Sequence, residues 1–113
     1  MPRIHVQGDR FMRDGQPFPL WGFNYWPSTS PGSAPAGGDW SGLCACDAPT
    51  IEHEVVAMVG LGANALRIWF AYAPDHRSAD HSLTDTARTN LDHLLTTCAS
   101  HGLYVIVHTR PAA

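Results

Sequence analysis

Apolar and polar positions alternate with a period near two through residues 3–26, RIHVQGDRFMRDGQPFPLWGFNYW. That period places successive side chains on opposite faces of an extended chain. Gly8-Asp9 and Asp14-Gly15 interrupt it as turn dipeptides. The pattern predicts a small hairpin that runs on into a strand ending near Asn24. From residue 50 the period changes. Ile51, Val55, Met58 and Val59 recur on one face of a helix. Thr50 reads as its N-cap, with Pro49 before it and Glu52 and Glu54 in the first turn. Gly60 and Gly62 read as its stop. ANALRIWFAY follows, too short for a surface helix and apolar throughout except around Arg67; it predicts a strand buried on both faces. A polar loop, APDHRSADHS, leads to a second helix. Ser82 and Asp85 fit the S-x-x-D capping pattern. Ala87, Leu91, Leu94, Leu95 and Cys98 form its apolar stripe, and Gly102 is the stop. LYVIVH is a third buried strand.

Strand, helix, strand, helix, strand is the order of a parallel sheet with right-handed crossovers. Two helices are few for a sheet that reads as buried on both faces, so an incomplete α/β domain is expected. Between the first strand and the first helix, residues 27–49 are rich in Pro, Gly, Ser and Ala. A loop longer than about 15 residues is usually functional or disordered. Trp40 and Leu43 favour a loop that is partly anchored.

Composition narrows the function classes. Apolar residues make up 44% of the 113 and charged residues 15%, a globular balance. A net charge of −3 with seven basic residues gives no basic patch, so nucleic acid is not an expected partner. No apolar run reaches the roughly 18 residues of a membrane span. The start, MPRIHVQGDR, lacks the apolar core of a signal peptide, so the chain as written is expected to stay in the compartment where it is made. Cys44 and Cys46 stand one residue apart, closer than zinc-site spacing, with no matching pair elsewhere. Free thiols are the better reading, and no metal or cofactor is expected. The Asp75-His76 and Asp80-His81 pairs sit in a polar loop and read as solvated.

Chemistry-bearing residues gather at strand ends. Asn24, Tyr25 and Trp26 end the first strand. Arg67 and Trp69 share a face near the end of the second, and His108 ends the third. Arg67 stands in an apolar strand and keeps its charge, so it needs an anion. Trp26 and Trp69 have flat apolar faces that could stack on a ligand, although core packing is the commoner use of tryptophan. Asn24 suits either a substrate hydroxyl or a tie at the strand end. Glu52 and Glu54 are the only glutamates, and their spacing on a helix does not let them face each other.

Three stretches, in order, resemble the opening of a retaining-clan (β/α)8-barrel glycoside hydrolase, closest to glycoside hydrolase family 5 with its cellulase- and mannanase-like members. FMRDGQPFPLWGFNYWP is similar to the opening hairpin and first barrel strand, VAMVGLGANALRIWFAY to the first helix end and second strand with an LG-x-N-x-x-R-I pattern, and LDHLLTTCASHGLYVIVH to the second helix and third strand. The resemblance implies an incomplete (β/α)8 TIM barrel: a hairpin, about three parallel strands and two helices. Residues 1–113 would be the N-terminal part of the catalytic domain. It implies hydrolysis of O-glycosidic bonds in β-linked oligo- or polysaccharides. No catalytic residue is expected within this chain, because the family's two catalytic glutamates lie on its fourth and seventh strands. Arg67 matches the arginine that hydrogen-bonds the nucleophilic glutamate, and Asn24, Tyr25, Trp26, Trp69 and His108 become substrate-binding candidates. His108 matches a position where a histidine often lies near substrate, although the continuation His108-Thr109-Arg110 differs from the commoner acidic or paired-histidine one. The alternatives are a stand-alone small α/β carbohydrate-binding or interaction protein without catalysis, and a gene remnant. An open sheet edge with an exposed YVIV strand is expected to invite self-association.

Overall fold

A computed structural model describes residues 1–25, 48–69 and 85–108, with Trp69 given by its backbone alone. The first segment forms three short strands, β1 (His5–Gln7), β2 (Arg10–Arg13) and β3 (Gln16–Pro17). They pair antiparallel in the order β1-β2-β3. Gly8-Asp9 and Asp14-Gly15 are the two-residue turns between them. The expected single hairpin is thus a double one. It does not run on into the next strand. After β3 the chain leaves this sheet, and β4 (Gly22–Asn24) opens a second one. Continuous alternation hides such a change of sheet, because both sheets demand the same period.

The second sheet is parallel, in the order β4-β5-β6, with β5 (Ala65–Trp69) central and β6 (Tyr104–His108) beyond it. Helices α1 (Ala48–Gly60) and α2 (Asp85–Ser100) precede β5 and β6. The expected βαβαβ order and parallel pairing are therefore present. α1 begins at Ala48, two residues before Thr50, so Thr50 is not its N-cap and no acid stands in its first turn. Pro49, second in the helix, sits where a missing N–H costs little. Ser82, the expected cap of α2, lies outside the described residues, as do Trp40, Leu43, Cys44, Cys46 and the Asp-His pairs.

Both helices end in the same way. Gly62 and Gly102 take positive φ values of 90° and 70°, which a side chain would resist. The N–H of the following residue reaches back five positions, Ala63 to Met58 at 3.1 Å and Leu103 to Cys98 at 2.9 Å. That bond satisfies a carbonyl and turns the chain into the next strand. Gly60, expected as part of the stop, is the last helical residue.

One face of the parallel sheet carries the core. Tyr25, Leu66 and Ile68 pack against Ile51, Val55 and Met58 of α1 and against Leu94 and Cys98 of α2, with Phe23 and Val105 partly buried beside them. Each fully buried aliphatic side chain there stabilises by roughly 1.5–3 kcal/mol. Leu95, placed on the α2 stripe by spacing, is instead 38% exposed. β6 is not buried on both faces as its composition predicts: Ile106 and Val107 are 43% and 47% exposed. A run of apolar residues records what a strand can bury, and only Leu103 and Val105 find the core. No helix among the described residues is long and apolar enough to cross a membrane.

Candidate functional site

Alternation along the three parallel strands decides which side chains leave the core. Phe23, Tyr25, Leu66, Ile68 and Val105 point to the helices, so Asn24, Arg67 and Ile106 take the opposite face. Register sets them in one row: Asn24 pairs with Arg67, and Arg67 with Ile106. One step further toward the strand ends, Trp69 pairs with His108. All three strands are parallel, so these positions gather at the C-terminal end of the sheet.

The open face forms a cleft of about 320 Å³, lined by Trp21, Gly22, Asn24, Ala65, Arg67 and Ile106 among others. The meander is fastened to the N-terminal end of the sheet. The Tyr104 hydroxyl donates to the Pro2 carbonyl at 2.5 Å, and the Tyr104 ring meets Phe18 edge-on with centroids 5.6 Å apart. Arg13 covers Phe18 in turn, 4.1 Å from its ring centre. These contacts hold the antiparallel meander against the start of β6. Asn24 and His108 are exposed, and Arg67 is half-buried with its Nε buried.

Of the residues singled out by sequence, the structure brings together Asn24, Arg67 and, by backbone position, Trp69 and His108. Tyr25 stands apart from them. It is 5% exposed, on the helix side, and its hydroxyl donates to Glu54 Oε1 at 3.1 Å. Trp26 lies outside the described residues. Glu52 meets His93 of α2 at 3.2 Å. Both glutamates thus serve the outer helical layer, away from the cleft.

Sequence reasoning gave no site role to Trp21, Gly22, Ile106 or Asn64. Trp21 is 53% exposed, sets its ring edge-on to Phe23 and borders the cleft. It precedes β4, so alternation gives it no side. Gly22 allows the backbone of β5 to come close, because a Cβ there would collide with the Ala65 carbonyl. Its place inside a strand pattern is the signal that could have found it. Among the described residues no group of three or more His, Cys, Asp or Glu is placed to hold a metal ion. Cys98 is buried, and burial pushes its thiol pKa up to about 12, so it stays protonated and inert.

No protein-family model and no curated protein matches the chain. Solved structures do. An endo-1,4-beta-mannanase from Rhizomucor miehei matches with a TM-score of 0.64 and 17% identity, over 92% of this chain and 28% of that one. A glycoside hydrolase family 5 mannosidase from the same organism, in complex with mannosyl-fructose, matches with a TM-score of 0.58 and 24% identity, over 92% and 26%. An endo-1,4-beta-mannanase from Eisenia fetida matches with a TM-score of 0.60 and 16% identity, over 96% and 31%. The resemblance carried by the three sequence stretches is therefore present in the fold. The chain spans less than a third of the length of these structures and matches their barrels in part.

Proposed function

We propose that the chain is part of the catalytic domain of a retaining glycoside hydrolase acting on β-linked glycans, with residues 1–113 supplying the first three barrel strands and one wall of the sugar cleft. The observation that carries this reading is the alignment of Asn24, Arg67, Trp69 and His108 at the C-terminal ends of three parallel strands. Barrel enzymes place their sites at that end. The likeness in fold to mannan-degrading enzymes supports β-linked mannosides as the first substrates to try.

Retention requires a nucleophile and an acid/base carboxylate about 5–5.5 Å apart. Glu52 and Glu54 are engaged on the helix side, so both catalytic carboxylates are assigned to further strands of the barrel. Arg67 then supplies a positive charge beside the nucleophile, which keeps that glutamate ionised and oriented. Trp26 and Trp69 offer apolar ring faces to the sugar, Asn24 and His108 its hydroxyl partners. Tyr25 braces the same strand end from behind, through Glu54.

The test pairs the 113-residue chain with the same residues completed by the remaining strands of a family 5 mannanase. Aryl β-mannoside hydrolysis is followed in both, and product stereochemistry by NMR. No hydrolysis by the chain alone and retention by the completed barrel are expected. Turnover by the chain alone would overturn the reading. Binding without catalysis has one observation in its favour, a cleft already formed by three strands. Calorimetry of the chain alone with mannotetraose separates the two, since saturable heat there favours a binding module. The half-exposed Ile106 and Val107 on β6 support self-association through that edge; sedimentation that stays monomeric up to high concentration would exclude it.

A further inference from the structure

Asn64 uses every polar group it has at the N-terminal end of the parallel sheet. Its backbone N–H donates to the Trp21 carbonyl at 2.8 Å, and its carbonyl accepts from the Tyr104 N–H at 2.9 Å. Its side-chain Oδ1 accepts from the Trp21 N–H at 2.8 Å, and its Nδ2 donates to the Pro19 carbonyl at 2.9 Å. Asn64 and Trp21 thus hold each other by both ends, although 43 residues separate them. A single residue ties the approach to β4, the start of β5 and the start of β6.

We infer that Asn64, together with Gly22, fixes the register of the parallel sheet and so positions Asn24 and Arg67 in the cleft. Two independent observations support it. The amide clasp sets where β4 begins relative to β5. Gly22 forbids the nearest alternative: a one-residue slide would bring Phe23 to the place where even one Cβ collides with the Ala65 carbonyl. Such a slide would also turn Asn24 toward the helices and Phe23 into the cleft. Asn64 lies three residues before Arg67, about 10 Å along the strand; it touches the cleft only at the backbone of Trp21 and reaches Asn24 and Arg67 through the strands. Asn64 is a positioning residue, and this role stands whether or not the sugar-cleft reading holds.

Hydrogen exchange on the 113-residue chain tests it at a distance from the substitution. The Tyr25 N–H donates to the Arg67 carbonyl at 2.7 Å, beyond the far end of β4. In Asn64→Ala its exchange is expected to quicken at least tenfold, while the amides of Leu94 and Cys98 in α2 keep their protection. Asn64→Asp keeps the acceptor for Trp21 and loses the donor to Pro19, so partial rescue at Tyr25 is expected. Unchanged Tyr25 protection in Asn64→Ala would overturn the role. Should that variant lose protection in α2 as well, Asn64→Asp decides: quicker exchange at Tyr25 with α2 protection kept supports the role, and any other outcome rejects it.

Discussion

The two faces of the parallel sheet are made by alternate residues of the same strands, yet they do different work. On the helix side, Leu66 and Ile68 are 1% exposed and meet fully buried Ile51, Val55, Leu94 and Cys98. On the cleft side, Asn24, Arg67 and Ile106 form a row that lines the open cleft. The closed face holds the chain together and tolerates no polar group without a partner. The open face carries the charge and the amide, and its geometry is inherited from the closed one. Stability and chemistry are separated here by one residue of register.

That separation can be broken by substitution, face by face. Leu94→Ala empties a fully buried position and is expected to destabilise by about 2–5 kcal/mol in urea unfolding. Arg67→Ala, in the completed barrel, is expected to lower turnover by about 100-fold while sugar binding changes little, with partial recovery in Arg67→Lys. Its effect on unfolding is expected to be smaller than that of Leu94→Ala; a larger one would join the two faces into one structural unit. Cys98 sharpens the closed side through pH. Its folded thiol lies at about 12 against an ordinary value of 9.0, so the folded chain holds the proton more tightly than the unfolded one. The stabilisation is complete below pH 9 and is lost at up to about 1.4 kcal/mol per pH unit between 9 and 12. Urea midpoints at pH 8 and 10 read this, and Cys98→Ala should remove that share of the slope. Tyr25→Phe deletes one hydroxyl and leaves Glu54 Oε1 without that donor, for about 1 kcal/mol. Turnover unaffected by Tyr25→Phe would keep Tyr25 on the structural side of the comparison.

Periodicity made the parallel sheet and both helices readable, because burial on one side leaves a fixed spacing in the sequence. Ile51, Val55 and Met58 show it for α1, and Ala87, Leu94 and Cys98 for α2. The cleft row was partly readable for the same reason: Arg67 interrupts an apolar strand, and its parity places Trp69 beside it. What alternation could not show was where one sheet ends and another begins, so the break between Pro17 and Gly22 went unseen. Spacing also assigns a stripe without saying how wide the partner is, as Leu95 illustrates. Asn64 stands in the LG-x-N-x-x-R-I pattern, but its bonds were not readable there, because its partners, Pro19 and Trp21, stand more than 40 residues away and offer only backbone.

The bond from Tyr104 to Pro2 joins groups 102 residues apart, and that separation has a meaning in time. Hairpins form within about 1–10 μs, so the meander can be complete almost as soon as its residues are free. Its docking ring on β6 is made far later. At about 5–20 residues per second of synthesis, Phe18 waits several seconds or more for Tyr104. Closing a loop of about 100 residues also costs roughly 2 kcal/mol more in chain entropy than closing one of about 10. The earliest module to form is therefore among the last to be fastened.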